Sequence, residues 1–292
     1  MAIAIWMAIS LLAIVVLGVM VVKLNSRIYK LELQLNTAVS MSTTVDTEST
    51  DSDSASEDDT SAALDQQVVK QLDSEDNVYH DGDTRKVYLT FDSIPGDNTN
   101  AILDALAQYN VKATFFVVGD TSGEYDDVYR RIVSEGHTIA MNSYSNSYSQ
   151  VYDSTESFTS DLTQISDYIK NITGVTPDIY RFPGGSMNQI SNVDMVDLVN
   201  ILNQKNITYY DWNVSAGDTA ADCTVDNIVS NVTEGVTGYD NSVVLLHDDS
   251  NRSTTAEAIG PLVEALQNIN AEILPIDKNT YVVQYIKADT VG

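Results

Sequence analysis

Three side chains able to hold or move a proton stand where apolar runs end. Asp92 closes the run 87–91 (VYLTF), and His247 closes the run 242–246 (SVVLL). Arg181 falls between Ile179-Tyr180 and the Gly184-Gly185 pair. Parallel α/β folds place their chemistry at the carboxyl ends of strands. A carboxylate and an imidazole are common equipment for acid–base work. Plainer readings stand beside these: Asp92 as a helix cap or turn residue, His247 as a satisfied core histidine, Arg181 as a surface charge. The chain has three histidines (His80, His137, His247) and one cysteine, Cys223. It therefore has no His-x-x-x-His pair, no thiolate-rich zinc site and no internal disulfide.

The segments that must position these residues alternate. The run 86–119 reads as strand, turn, helix, strand, with the break at Pro95-Gly96 and Asp97 as N-cap. The helix face is Ile102, Leu103, Leu106 and Ala107, and 113–118 is a continuous apolar strand of the kind buried on both faces. Further helices are expected at 125–134, 156–172, 193–203, 225–232 and 255–268. Strands are expected at 138–142, 179–183, 207–212, 242–247 and 272–276. Such βα alternation predicts parallel strands with helices outside.

The stretch TFDSIPGDNT…VKATFFVVG resembles the first motif of the polysaccharide deacetylase (NodB-homology, carbohydrate esterase family 4-like) proteins, usually TFDDGP followed by KATFF. Four more motifs follow in family order, so the resemblance runs from about residue 78 to the C-terminus. It implies an irregular (β/α) barrel and hydrolysis of an N- or O-acetyl group with a divalent, zinc-type metal. It implies Asp92 as the catalytic base and Arg181 as its tether. His247, with Leu245, matches the late LxH motif and would be the general acid. Asp211 would orient that acid, and Trp212 would wall the acetyl pocket, with plain core as the rival reading of Trp212. Phe182 and Pro183 complete the RFPGG motif on the substrate side.

The departures fall on the implied metal ligands. The position of the metal-binding Asp is Ser93, and the two positions of the HSxxH histidines are Asn142 and Asn146. Hydroxyl and amide groups lack both the charge and the nitrogen donors of that set. Ile94 stands where the family has Gly, which suggests strain and added bulk beside the pocket. His137 matches a position outside the metal site and reads as structural. The expectation is a homologue without metal or hydrolysis that binds a cell-wall glycan, or a protein partner, through its retained cleft. The alternatives are an active deacetylase with a non-standard, oxygen-only site for a hard cation, and a structural envelope protein with a vestigial cleft.

Residues 2–22 are almost continuously apolar and uncharged, long enough to span a bilayer. A signal peptide would carry a shorter apolar region after a basic start. Residues 1–23 therefore read as a membrane anchor and 24–39 as a juxtamembrane helix. Residues 40–62 read as a disordered acidic, Ser/Thr-rich stalk, and 63–292 as the polysaccharide-deacetylase-like (NodB) domain. Lys23, Arg27 and Lys30 favour a cytoplasmic C-terminal side. The stalk favours the outside, and the expectation is a single-pass protein with its domain at the cell surface. Among 292 residues, 42 acidic against 15 basic side chains give a formal charge of −27. That balance argues against nucleic acid and against polyanionic polymers as partners.

Overall fold

The computed structural model describes residues 77–80 and 84–291. The anchor, juxtamembrane helix and stalk lie outside these residues. Among the described residues no helix is long and apolar enough to cross a membrane.

Strand β1 (Lys86–Ser93) is followed by helix α1 (Asp97–Gln108), β2 (Thr114–Val117), α2 (Asp126–Ser134) and β3 (Thr138–Met141). The one-turn α3 (Tyr148–Val151) and the long α4 (Thr155–Thr173) lead to β4 (Ile179–Tyr180) and α5 (Met195–Gln204). The chain then runs through β5 (Thr208–Tyr209), β6 (Val214–Ser215), α6 (Val225–Gly235), β7 (Asn241–His247), α7 (Ser253–Asn268) and β8 (Glu272–Ile273). Every ladder between these strands is parallel, in the order β5-β4-β3-β2-β1-β7-β6, with β8 also on β1.

The sheet is curled and its end strands β5 and β6 do not pair, so the irregular barrel expected is an open half-barrel. The expected strand 207–212 is two short ladders instead. Tyr210 donates its N–H to Tyr180 O at 2.9 Å, but the next N–H, of Asp211, turns to Val283 O at 2.8 Å. The chain thereby leaves the β4 edge and joins the β7 edge four residues later, so the gap is bridged covalently rather than by a ladder. The expected strand 179–183 likewise stops at Tyr180, because Gly184 and Gly185 turn the chain at φ 72° and 80°.

Side-chain alternation along the strands sorts the core. Outward-facing Val87, Leu89, Phe91, Phe115, Val117, Val244 and Leu246 pack with the helices. Inward-facing Tyr88, Phe116, Val243 and Leu245 form a second, smaller cluster with Tyr210, Trp212 and Ile276. The period of two therefore also aims Asp92 and His247, which share a register position across β1 and β7, into the curl. The helix ends follow local chemistry. Ser154 Oγ accepts from Ser157 N–H at the start of α4, and Gly174 ends that helix at φ 79°. The N-cap of α1 is Gly96 rather than Asp97, with Thr99 Oγ1 accepting the Gly96 N–H at 2.9 Å.

His137 is buried, and its Nδ1 accepts the Ala113 N–H at 3.1 Å. Burial pushes its pKa down to about 4, so it is neutral at pH 7.

Candidate active site

The carboxyl ends of β1, β3, β4 and β7 surround a cavity of about 170 Å³. Asp92, Trp212, Leu245, His247, Asn142 and Pro183 are among its lining residues. Arg181 lies directly behind. Its side chain is fully buried, and Nη1 donates to Asp92 Oδ1 and to Thr90 Oγ1, both at 2.7 Å. Nε and Nη2 donate to the carbonyls of Tyr210 and Asp211, and the guanidinium carbon sits 4.0 Å from the Phe116 ring centroid. Burial raises the Asp92 pKa above the usual carboxylate range, while the Arg181 charge and hydrogen bond pull it back. The result is a carboxylate fixed in direction, with its second oxygen 3.4 Å from the Asn142 amide nitrogen.

His247 has a different partner from the one expected. Asp211 is fully buried and bonded to the Ser186 N–H and hydroxyl and the Tyr285 N–H, which ties the 283–286 segment over the gap in the sheet. It orients no histidine. The carboxylate on His247 is Asp218. Asp218 Oδ1 lies 2.9 Å from His247 Nδ1, and Oδ2 accepts the His247 N–H at 2.7 Å and the Thr255 hydroxyl at 2.9 Å. Burial opposes ionisation of Asp218, but His247 and these hydrogen bonds outweigh it and hold the carboxyl below its ordinary pKa. With Nδ1 so engaged, the imidazole is fixed in orientation where it lines the cavity. The sequence offered one signal for Asp218: it follows Gly217, which takes φ 66° in a loop six residues beyond Trp212.

Two further expectations are corrected. Phe182 is completely buried among Phe158, Tyr180 and Tyr209 on the outer side of the sheet, one residue out of phase with the inward Arg181. It does not line the cavity at Asp92. Ile94 is 37% exposed and absent from the positive-φ residues, so it does not strain the loop; its bulk lines the larger groove beside the Asp92 cavity rather than the cavity itself.

The residues at the implied metal positions are engaged otherwise. Ser93 Oγ donates to Asp248 Oδ1 at 2.6 Å, and Asn142 donates to Asp92. Asn146 sits exposed at the cavity rim in left-handed backbone (φ 50°), a conformation Asn tolerates. Among the described residues no three His, Cys, Asp or Glu side chains converge as a metal would require. A zinc-type ion does not fit this donor set. Asp248, unremarked in the sequence beside His247, is buried and also accepts the Thr99 hydroxyl. Burial pushes its pKa up to about 6, against the two hydroxyl donors.

The loop that presents Asn142 and Asn146 hangs on Asp161 of α4. Its two carboxylate oxygens accept the Tyr144 and Ser145 N–H groups, each at 2.9 Å. Gly119 packs beneath, where a Cβ would come within 2.7 Å of the Tyr144 ring. Asp161→Ala should orphan both N–H groups and cost about 2–3 kcal/mol. Urea unfolding checks the cost, and a loss under about 0.5 kcal/mol would show the loop is held some other way.

Residues 80–207 match the family model described as polysaccharide deacetylase. The chain is 30% identical over 206 residues to a chitooligosaccharide deacetylase of a Bradyrhizobium species, covering 66% of this chain and 90% of that one. A peptidoglycan-N-acetylglucosamine deacetylase of Bacillus cereus is 31% identical over 185 residues, 60% of this chain and 64% of the relative. This chain thus spans less than two thirds of that relative's length. Among solved structures, the catalytic domain of a peptidoglycan N-acetylglucosamine deacetylase from Eubacterium rectale is similar at 36% identity and a TM-score of 0.66. The match covers 72% of this chain and 96% of that one. With the curled parallel sheet and the Asp92–Arg181 and His247 pairings already in place, these likenesses make the chain a member of the polysaccharide deacetylase family.

Proposed function

We propose that this protein is a cell-surface member of the family that engages a peptidoglycan- or chitin-type glycan through its cleft without removing acetyl groups. The observation that carries this reading is the use made of Ser93 and Asn142. Both spend their side-chain donors on neighbouring carboxylates, and neither offers a zinc-type ion a charge or a nitrogen lone pair. Asp92 and His247 could still move protons, but general acid–base help contributes about 10²–10⁴-fold. That is small against the stability of an acetamide. The names of the relatives, deacetylases of peptidoglycan N-acetylglucosamine and of chitooligosaccharides, support a β-1,4-linked amino-sugar polymer as the ligand.

The test is metal content by elemental analysis of the full-length protein purified in detergent, beside acetate release from acetylated glycans. The expected result is substoichiometric zinc and no acetate above background. Tight stoichiometric metal, or acetate release abolished by a chelator, would establish the active alternative with a ligand set of its own. The apolar residues 2–22 support a membrane anchor, and the acidic, Ser/Thr-rich residues 40–62 support placing the domain outside. Deleting residues 2–22 should move the protein from the membrane to the soluble fraction, and unchanged sedimentation with membranes would refute the anchor.

A further inference from the structure

We propose that Tyr285 sets the size of the acyl group that the Asp92 cavity accepts, acting through Trp212, an inference that rests on the glycan reading above. The cavity of about 170 Å³ is smaller than the roughly 300–1,000 Å³ of pockets that enclose whole small molecules. A sugar polymer can therefore place a substituent in it, but not a ring. Val118, Pro183, Trp212 and Leu245 give apolar lining, and Asp92 and Asn142 add hydrogen-bonding groups. The N-acyl group of an amino sugar, an amide with a short apolar tail, matches that mixture.

Trp212 stands at the open part of the sheet, between β5 and β6, where the chain changes edges. There the 283–286 segment, rather than a neighbouring strand, supports the wall. Asp211 N–H donates to Val283 O, and Tyr285 N–H donates to Asp211 Oδ2, each at 2.8 Å. Tyr285 then meets Trp212 in two ways. Its hydroxyl donates to the Trp212 carbonyl at 2.8 Å, and the two rings pack edge to face with centroids 5.6 Å apart. Trp212 lines the cavity and Tyr285 does not, so the tyrosine backs the indole instead of touching what the cavity holds.

The indole has little room to retreat. It is 2% exposed, and the Arg181 guanidinium carbon lies 5.7 Å from its ring centroid. Gly185, at φ 80°, lets both rings close in: a Cβ there would come within 3.1 Å of Trp212 and 3.3 Å of Tyr285. Tyr285 is the neighbour whose truncation opens space behind the indole, since Gly185 has no side chain and Arg181 is committed to Asp92. A longer acyl tail therefore presses on a wall that Tyr285 holds in place. One methylene too many in a fixed apolar pocket is discriminated about 10–200-fold.

The experiment is calorimetric titration of the full-length protein in detergent. The probes are three β-1,4-linked glucosamine tetramers, N-acetylated, N-propionylated and N-butyrylated. The natural protein should bind the acetyl tetramer at least about tenfold tighter than the butyryl one. Tyr285→Ala keeps the backbone bond to Asp211 and should cut that preference to about threefold or less, mainly by tightening the butyryl tetramer. Tyr285→Phe keeps the ring and should retain the preference. Tyr285→Leu, a milder truncation, serves in place of Tyr285→Ala if that variant does not fold, and should cut the preference to about fivefold or less. Weaker binding of all three tetramers by the same factor in the truncated variant, with the preference kept, is what a merely structural role would give and overturns the inference. Equal binding of the three tetramers to the natural protein also overturns it and leaves the glycan reading standing. If no tetramer binds, the inference and the glycan reading fall together.

Discussion

One zinc ion per chain, bound at least about 10³-fold (roughly 4 kcal/mol) more tightly than by the natural protein, is the expected result of combining Ser93→Asp, Asn142→His and Asn146→His. The variant supplies one carboxylate and two imidazoles on backbone that already surrounds the Asp92 cavity, and ligand identity and geometry set metal affinity. The structure adds a condition. Ser93 Oγ lies 2.6 Å from Asp248 Oδ1, so a carboxylate at position 93 meets a second, buried one. Two carboxylates this close cannot both ionise without help. Asp248, whose pKa is already pushed up to about 6, is the one to take the proton.

The sign of the effect follows. Without metal, the triple variant should lose stability as the pH rises from about 4, the ordinary carboxylate pKa, through the raised pKa of the pair, where the second charge is forced on it, and zinc should restore it. Adding Asp248→Asn should remove the conflict and tighten zinc further at pH 7. Elemental analysis and zinc-dependent thermal unfolding read both effects. Acetate release is a further expectation, since Ile94 stands clear of the cavity, but placement of the acetyl group within about 1 Å decides its rate. A folded triple variant that binds no zinc would show that positions 93, 142 and 146 do not share a site.

The second large effect is on stability. Arg181→Met keeps much of the side-chain volume but removes the charge that faces Asp92. It also strands the carbonyls of Tyr210 and Asp211 in the interior and leaves Thr90 Oγ1 with only its bond to Val244 O. Breaking one partner of a buried pair typically costs about 3–5 kcal/mol, and that is the expected loss in urea unfolding. Asp92→Asn added to Arg181→Met should return part of it, because the uncompensated carboxylate goes. Arg181→Lys should fall between, since one ammonium cannot reach four acceptors in a planar fork. A cost under about 1 kcal/mol for Arg181→Met would mean that the guanidinium holds nothing together.

The residues at the strand ends were legible because a period of two fixes which side chains share a face. Asp92 and His247 close apolar runs, and any parallel pairing of those runs brings their ends together. The helices were legible for the matching reason, an apolar stripe bounded by caps and glycines. The run 207–212 misled because strand propensity cannot say where a strand changes partners. That was decided by Asp211 N–H finding Val283 O, a contact 72 residues away in sequence.

The same limit explains the site. Residue types at positions 93, 142 and 146 determined by themselves that these three side chains lack the charge and nitrogen donors of the family's set, because charge and donor atoms are properties of the residue. Which carboxylate serves which partner was not in the sequence. Asp211 and Asp218 are seven positions apart on one connecting segment, and both are buried acids. Only the path of the chain across the open edge of the sheet sends Asp211 to Ser186 and Tyr285, and Asp218 to His247. Hydrogen bonds act over about 3 Å, so partner choice among equivalent groups belongs to the tertiary structure.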